Sequence, residues 1–138
     1  MLEIGVQTKN VVEDENPRHG FEMLKKAGFT CADFSLNDYL ANKDLYCFQV
    51  NDFFDKSNKE LEAFFSPHKA GAKAAGIRIH QMHMPYPMYV PGGKQELNDY
   101  LMNVVAPKSM NVCAFFGCRY IVVHGFKLVR NLGSEEAE

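Results

Sequence analysis

One pattern occurs three times in this 138-residue chain: a helix ends, a glycine follows, and an apolar strand begins. The three copies read KKAGFTCADF, KAAGIRIHQM and FFGCRYIVVH. A glycine at this position allows the left-handed backbone conformation with which many helices end. Repeated alternation of helices and apolar strands is typical of α/β proteins with a parallel sheet. We therefore predict a parallel sheet of four strands, each followed by a helix.

Local start and stop signals give the bounds of these elements. The predicted strands span residues 2–8, 29–36, 77–82 and 120–123. Asn16 is expected to cap the first helix, with Pro17 at its first position. Ser57 and Glu60 have the spacing of a capping box and begin a later helix. The glycines that end the three helices are Gly28, Gly76 and Gly117.

Three stretches are harder to assign. Residues 41–56 fit either a short extra helix or an ordered loop. Residues 84–93 contain three prolines and two glycines and are predicted to be a loop. A helix is predicted from about Asn98 onward. Pro67 and Pro107 are expected to kink or break the helices in which they lie.

The composition is that of one soluble globular domain, with 46% apolar and 23% charged residues. A net charge of −2 gives no general attraction to nucleic acid or to an anionic membrane. The sequence contains no apolar run of the ~20 residues that a membrane span needs. None of the cysteines forms a CxxC pair, so we predict reduced thiols in a cytoplasmic protein. These cysteines are Cys31, Cys47, Cys113 and Cys118.

Two consecutive predicted strands end in histidines. His83 follows the strand in IRIHQMHMPY, and His124 ends the strand in YIVVHGF. Neighbouring strands lie about 4.8 Å apart, and parallel sheets and barrels bind ligands at their carboxyl edge. We predict that both histidines line a pocket, where two imidazoles can bind one zinc-like ion at about 2.1 Å each. The alternatives are hydrogen bonds to substrate hydroxyls or to local backbone groups.

The sequence gives no third metal ligand beside this pair. Asp33 lies in the middle of a strand, and Glu3 lies at the opposite end of the sheet. His80 precedes His83 by three residues, and an odd offset along a strand sends side chains to opposite faces. We therefore predict that His80 is a hydrogen-bonded histidine on the helix-facing side of the sheet.

Four other side chains are candidates for contact with a substrate. Gln7 closes the first strand and is either a substrate contact or a polar plug. Tyr86 and Tyr89 follow the third strand and either wall the pocket or pack under their own loop. Lys127 follows His124 and is either a phosphate contact or a solvated lysine. The chain carries no phosphate-binding glycine-rich loop and no serine-hydrolase motif.

Four motifs, IGVQT, AGF to DFSL, HMPY and IVVHG, resemble in this order the first half of the xylose isomerase-like TIM barrel superfamily. This superfamily contains sugar phosphate isomerases and epimerases and the endonuclease IV group. The resemblance implies that residues 1–138 form a single partial domain, the parallel (β/α)4 half of a TIM barrel. It also implies a divalent metal (Mn, Zn, Mg or Co) at the C-terminal mouth of the intact barrel.

The resemblance assigns most metal ligands to strands beyond this chain. In the isomerase and epimerase members, a Glu, an Asp, a His and a Glu from strands five to eight hold the metal. Two of those acidic residues also move the proton next to the substrate carbonyl. In the nuclease-like members, a histidine after strand three and one after strand four bind metal as well. His83 and His124 fall at those two positions.

The leading hypothesis is an isomerase or epimerase of a small sugar or sugar phosphate that works by metal-assisted proton transfer. This chain would then carry the substrate-pocket half of the enzyme. One alternative is an endonuclease IV-like nuclease, which a pI of 6.2 and the lack of a Lys/Arg cluster near the strand ends disfavour. Another is a non-catalytic α/β module that binds a ligand or assembles with a partner.

Residues 133–138, GSEEAE, resemble a capping serine and the acidic first turn of another helix. A single helical turn is not stable alone, so we interpret the chain as truncated, with a polar tail as the alternative. An open half-barrel exposes two sheet edges, which are sites of strand pairing between chains. We therefore expect a homo-oligomer or a missing C-terminal half.

Overall fold

A computed structural model describes residues 3–125 of the chain. It contains a four-stranded, fully parallel sheet in the order β1-β2-β3-β4. The prediction of an α/β fold with a parallel sheet is confirmed. The strands are shorter than the sequence signals suggested, except that the third extends one residue further, to His83. Their bounds are Gly5–Gln7 (β1), Cys31–Ser35 (β2), Arg78–His83 (β3) and Tyr120–Val122 (β4).

Helices connect the strands and pack against one face of the sheet. They are Pro17–Lys26 (α1), Asn42–Tyr46 (α2), Asn58–Ala75 (α3), Gln95–Tyr100 (α4) and Ala106–Phe115 (α5). The ambiguous residues 41–56 form α2 and a short 3-10 turn, Phe53–Asp55. Within residues 3–125, no helix combines the length and the apolar character that crossing a bilayer requires.

The predicted helix ends are confirmed. Asn16 accepts a hydrogen bond from the backbone N–H of His19 at 3.3 Å, which caps α1. Ser57 and Glu60 form the complete capping box, because each side chain accepts a bond from the other residue's backbone N–H. The helix-ending glycines have φ angles of +93°, +68° and +74°, values that residues with a Cβ adopt only under strain.

The break that Pro67 could have caused does not occur. Pro67 lies inside α3, which continues through it without a break over 18 residues. Packing holds both halves of this helix, since Phe65 before the proline and Ala72 after it are both buried in the core. Pro107 lies in the first turn of α5, directly after a π-helical segment, Leu101–Val105. Proline has no backbone N–H to donate, and the helix changes its pitch just before this position.

The third long helical region begins earlier than predicted. The helix starts at Gln95, and Asn98 is buried within its first turns. The Asn98 side chain accepts a bond from the N–H of Val90 at 2.8 Å and donates to the Val90 carbonyl at 3.2 Å. Asn98 therefore fixes the proline-rich loop onto α4 and does not cap the helix.

The two faces of the sheet differ. On the helix side, Phe34, Ile79 and Met82 belong to one buried core that includes residues from all five helices. The opposite face carries Gly5 and Gln7 and bounds an open cavity of about 530 Å³. Lys127 and the predicted helical turn at residues 133–138 lie outside the described residues.

Candidate functional site

The carboxyl ends of β2 and β3 bring together an acid and a histidine. Asp33 is in register with Gln81, and His83 lies two residues further along β3, so all three side chains share the open face. His83 Nδ1 lies 2.8 Å from Asp33 Oδ1 and 2.7 Å from Oδ2. Gln81 Nε2 donates to Asp33 Oδ2 at 3.1 Å. The histidine and aspartate side chains are only 14% and 17% exposed.

This hydrogen bond determines which nitrogen of His83 is available for chemistry. A carboxylate can only accept, so the proton of the neutral ring lies on Nδ1. The Nε2 lone pair of His83 is then free to accept a proton or to bind an electrophile. An acid that orients a histidine in this way is the arrangement found in general bases and in many metal ligands.

His124 lies beside His83, as the strand order predicted. The two imidazole rings are stacked, with centroids 5.1 Å apart and an angle of 22° between their planes. The Tyr86 ring meets His124 edge-on at 5.6 Å. His124 therefore contacts two other predicted site residues, His83 and Tyr86, at one end of the sheet.

Tyr86 is fixed in place by its neighbours. Its backbone N–H donates to Asn37 Oδ1 at 2.7 Å, and its hydroxyl lies 3.0 Å from the hydroxyl of Tyr46. A small open cavity of about 340 Å³ lies here, lined by Asn37, Tyr86, His124 and Gly125. The cavity is bounded by segments that follow β2, β3 and β4, at the edge where α/β proteins bind ligands.

The other predicted site residues are more distant from this cluster. Gln7 lies on the open face in register with Asp33 and lines the larger cavity there. Tyr89 lies in the loop after β3 and is 47% exposed. Lys127 falls outside the described residues, so its predicted phosphate contact stays a prediction.

The prediction for His80 is wrong. The pairing of β2 with β3 shifts between Ala32 and Asp33, which places an extra residue in β3 between the core residues Ile79 and Met82. The odd offset between His80 and His83 therefore no longer implies opposite faces. His80 borders the open-face cavity, and within the described chain its buried Nδ1 has no hydrogen-bond partner.

The metal expectation can be tested against the donor atoms present. Within residues 3–125, no group of three or more His, Cys, Asp or Glu side chains is placed to hold a metal ion. His83 and His124 supply two ligands at most, whereas a catalytic zinc usually has three from the protein. Among the described residues the metal expectation therefore depends on these two histidines alone, and it stays a prediction for the intact protein.

Sequence reasoning missed Asp33 as a site residue, and with it Asn37 and Tyr46. The one available signal was the charge itself, because an acidic residue inside an apolar strand requires a partner. The partner was not readable, since Asp33 and His83 are 50 residues apart and only the strand register brings them together.

With this geometry defined, the chain was compared with known proteins. Family models, curated proteins and solved structures give no match to it. The geometry of the cluster is thus the basis for any functional assignment.

Proposed function

We propose that the chain takes part in the isomerisation or epimerisation of a small sugar or sugar phosphate by proton transfer next to a carbonyl. The observation that carries this proposal is the pairing of Asp33 with His83 at the carboxyl edge of the sheet. It supplies an oriented, partly buried base at the place where an α/β sheet binds its ligand.

The proposed reaction uses three side chains. His83 Nε2 removes a proton from the carbon beside the carbonyl, and the electron pair of that C–H bond moves to give an enediolate oxygen. Asp33 holds the ring in the required tautomer and stabilises the imidazolium that forms. His124, stacked on His83, donates a hydrogen bond to the oxygen that gains charge. For an isomer, the His83 imidazolium returns the proton to the former carbonyl carbon, and the proton of the neighbouring hydroxyl moves to the enediolate oxygen. For an epimer, a water molecule protonates the original carbon on its opposite face, and the hydroxide left behind takes the proton from the His83 imidazolium.

The fold is compatible with half of a (β/α)8 barrel, and we propose that architecture for the assembled protein. The strands follow one another in chain order, and the sheet has no point at which that order reverses. In doubly wound folds, by contrast, the strand order reverses and helices cover both faces. In residues 3–125 the helices pack on one face, and the other face bounds an open cavity, which is what the interior side of a half-barrel would do.

The open face also supports the proposal of an assembly with a second copy. Parallel sheets are normally covered on both faces, because their apolar side chains are otherwise left in water. The unpaired edges of a sheet are in addition sites of strand pairing between chains. Ile4, directly before β1, and Val123, directly after β4, are 55% and 54% exposed, so an exposed apolar side chain adjoins each outer strand. A second copy would pair with these edges and bring further side chains to the mouth of the barrel.

Solvent hydrogen exchange tests the proposed chemistry directly. The full chain is incubated in D₂O with fructose or fructose 6-phosphate, and proton NMR follows loss of the hydrogen beside the carbonyl. We expect exchange above the uncatalysed rate. His83→Asn should slow it by roughly 100-fold or more, the usual contribution of a general base.

His19→Asn provides the matched control, since it makes the same substitution on the exposed surface of α1 and should leave the exchange rate unchanged. Circular dichroism establishes that both variants are folded. Absence of exchange with either sugar, or equal exchange by His83→Asn and the parent chain, contradicts the proposed function.

A further inference from the structure

A third cavity lies at the opposite end of the sheet from the histidine cluster. It has a volume of about 470 Å³ and is bounded by the last turns of α3, the start of β3 and the segment that joins α5 to β4. This volume is in the range of cavities that bind small molecules. The proposed reaction uses none of the residues that line it.

Cationic side chains surround this cavity. Lys69 and Lys73 lie one turn apart on α3, and Arg119 faces them from the segment before β4. Two like charges at this spacing on a helix repel each other. Among the described residues that line the cavity, none is an aspartate or glutamate. The local excess of positive charge contrasts with the net charge of −2 of the whole chain.

Two of the cations are already held in position. The Lys69 ammonium donates to the Phe115 carbonyl at 2.6 Å and lies 4.4 Å above the ring of the same residue. Two of its three N–H groups are left for a ligand. Arg78, which also lines the cavity, is paired with Glu3, so its charge is largely balanced. Within residues 3–125, the cations of this cavity that have no acidic partner are Lys69, Lys73 and Arg119.

Two ring side chains complete the wall. Tyr120 is 59% exposed, and its ring lies 5.6 Å from the ring of His80. The cavity therefore offers an aromatic surface beside its positive charges.

From this cluster of three cations around a cavity without acids, we infer a binding site for the phosphate groups of a small phosphorylated molecule. Ammonium and guanidinium groups form strong charge-assisted bonds to phosphate oxygens. The site is separate from the histidine cluster, and a molecule bound there would not compete with the sugar.

Titration with inorganic pyrophosphate tests this inference. Calorimetry with the full chain should give saturable binding that weakens as salt is raised from about 0.05 M to 0.3 M, because added ions screen these charges. The double variant Lys73→Glu with Arg119→Glu should weaken binding at least about tenfold, which equals about 1.4 kcal/mol. Lys43→Glu with Lys94→Glu makes the same change in net charge on other exposed segments and should shift affinity less than about threefold.

Lys73→Gln with Arg119→Gln replaces the charge-reversed variant if that one fails to fold. Amide shifts on pyrophosphate addition should centre on Gly117 and Tyr120 and be absent near His83. The inference is overturned if no heat and no shifts appear, or if both double variants weaken binding equally. It is also overturned if a single-stranded oligonucleotide binds through Lys73 and Arg119 more tightly than pyrophosphate, since the surface would then be a nucleic-acid groove.

Discussion

His83 was predicted as a site residue before the fold was known, whereas its partner Asp33 was not. His83 and His124 could be placed side by side from sequence, because each follows an apolar strand and the strands are consecutive. Asp33 could not be recognised, because its role depends on the β2–β3 register. The register shift between Ala32 and Asp33 also explains why side-chain alternation along β3 predicted the wrong face of the sheet for His80.

A second histidine gives a prediction about stability at this scale. His68 is almost fully buried against the rings of Phe34 and Phe65, and its Nε2 lies 2.8 Å from Asp14 Oδ1. Burial lowers the pKa of His68 below 6.5, and the nearby Asp14 carboxylate only partly opposes this effect. The folded protein therefore binds this proton less readily than the unfolded chain does, so stability should fall as pH drops below about 6.5.

Urea unfolding at pH 7.5, 6.5 and 5.5 measures this dependence. The parent chain should lose unfolding free energy across that range, and His68→Gln should lose less of it. His19→Gln, on the surface of α1, should follow the parent slope. Identical slopes for the parent and His68→Gln would show that this histidine is not the group responsible.

At the scale of elements, helix ends were predictable and helix interiors were not. A capping box and a glycine with positive φ depend on three or four neighbouring residues, so their signals are complete in the sequence. The uninterrupted course of α3 through Pro67 depends instead on core packing, and the π-helical segment before Pro107 depends on how α4 and α5 fit the sheet. Such tertiary effects leave no local pattern.

The capping box gives a prediction with a control in the same helix. Ser57 Oγ accepts from the N–H of Glu60 at 3.3 Å, so Ser57→Ala should lower the unfolding free energy by about 1 kcal/mol. Ser66→Ala lies inside α3, where the serine hydroxyl donates to the Glu62 carbonyl at 2.8 Å. This second change should be neutral or slightly stabilising, because alanine is the better helix former. Urea denaturation of both variants measures these changes. Equal losses of unfolding free energy would contradict the capping role of Ser57.

At the scale of the whole molecule, the two ends of the sheet carry different chemistry. The carboxyl end holds an acid–histidine pair with a free Nε2, and the amino end holds three uncompensated cations around a separate cavity. The net charge of the chain is near zero and does not reveal that cations are concentrated at one end of the sheet. The composition alone therefore predicted only that nucleic acid and anionic membranes are not generally attracted. The placement of both sites follows from the parallel topology, which sends every strand in the same direction.

The open face of the sheet leads to a prediction about assembly. If a second copy covers this face, the chain should sediment as a dimer at micromolar concentration. Ile4→Lys places a charge on the outer edge of β1, where an inserted lysine opposes strand pairing, and should shift the mass to the monomer. Met23→Lys puts the same charge on the exposed surface of α1, where the side chain is 48% exposed, and should leave the dimer intact. If the mouth of the proposed barrel is completed only in such a dimer, Ile4→Lys should also lose sugar hydrogen exchange in parallel with its loss of mass. A parent chain that sediments as a monomer and unfolds cooperatively would mean that the open face is stable in water and that the histidine cluster acts without a partner.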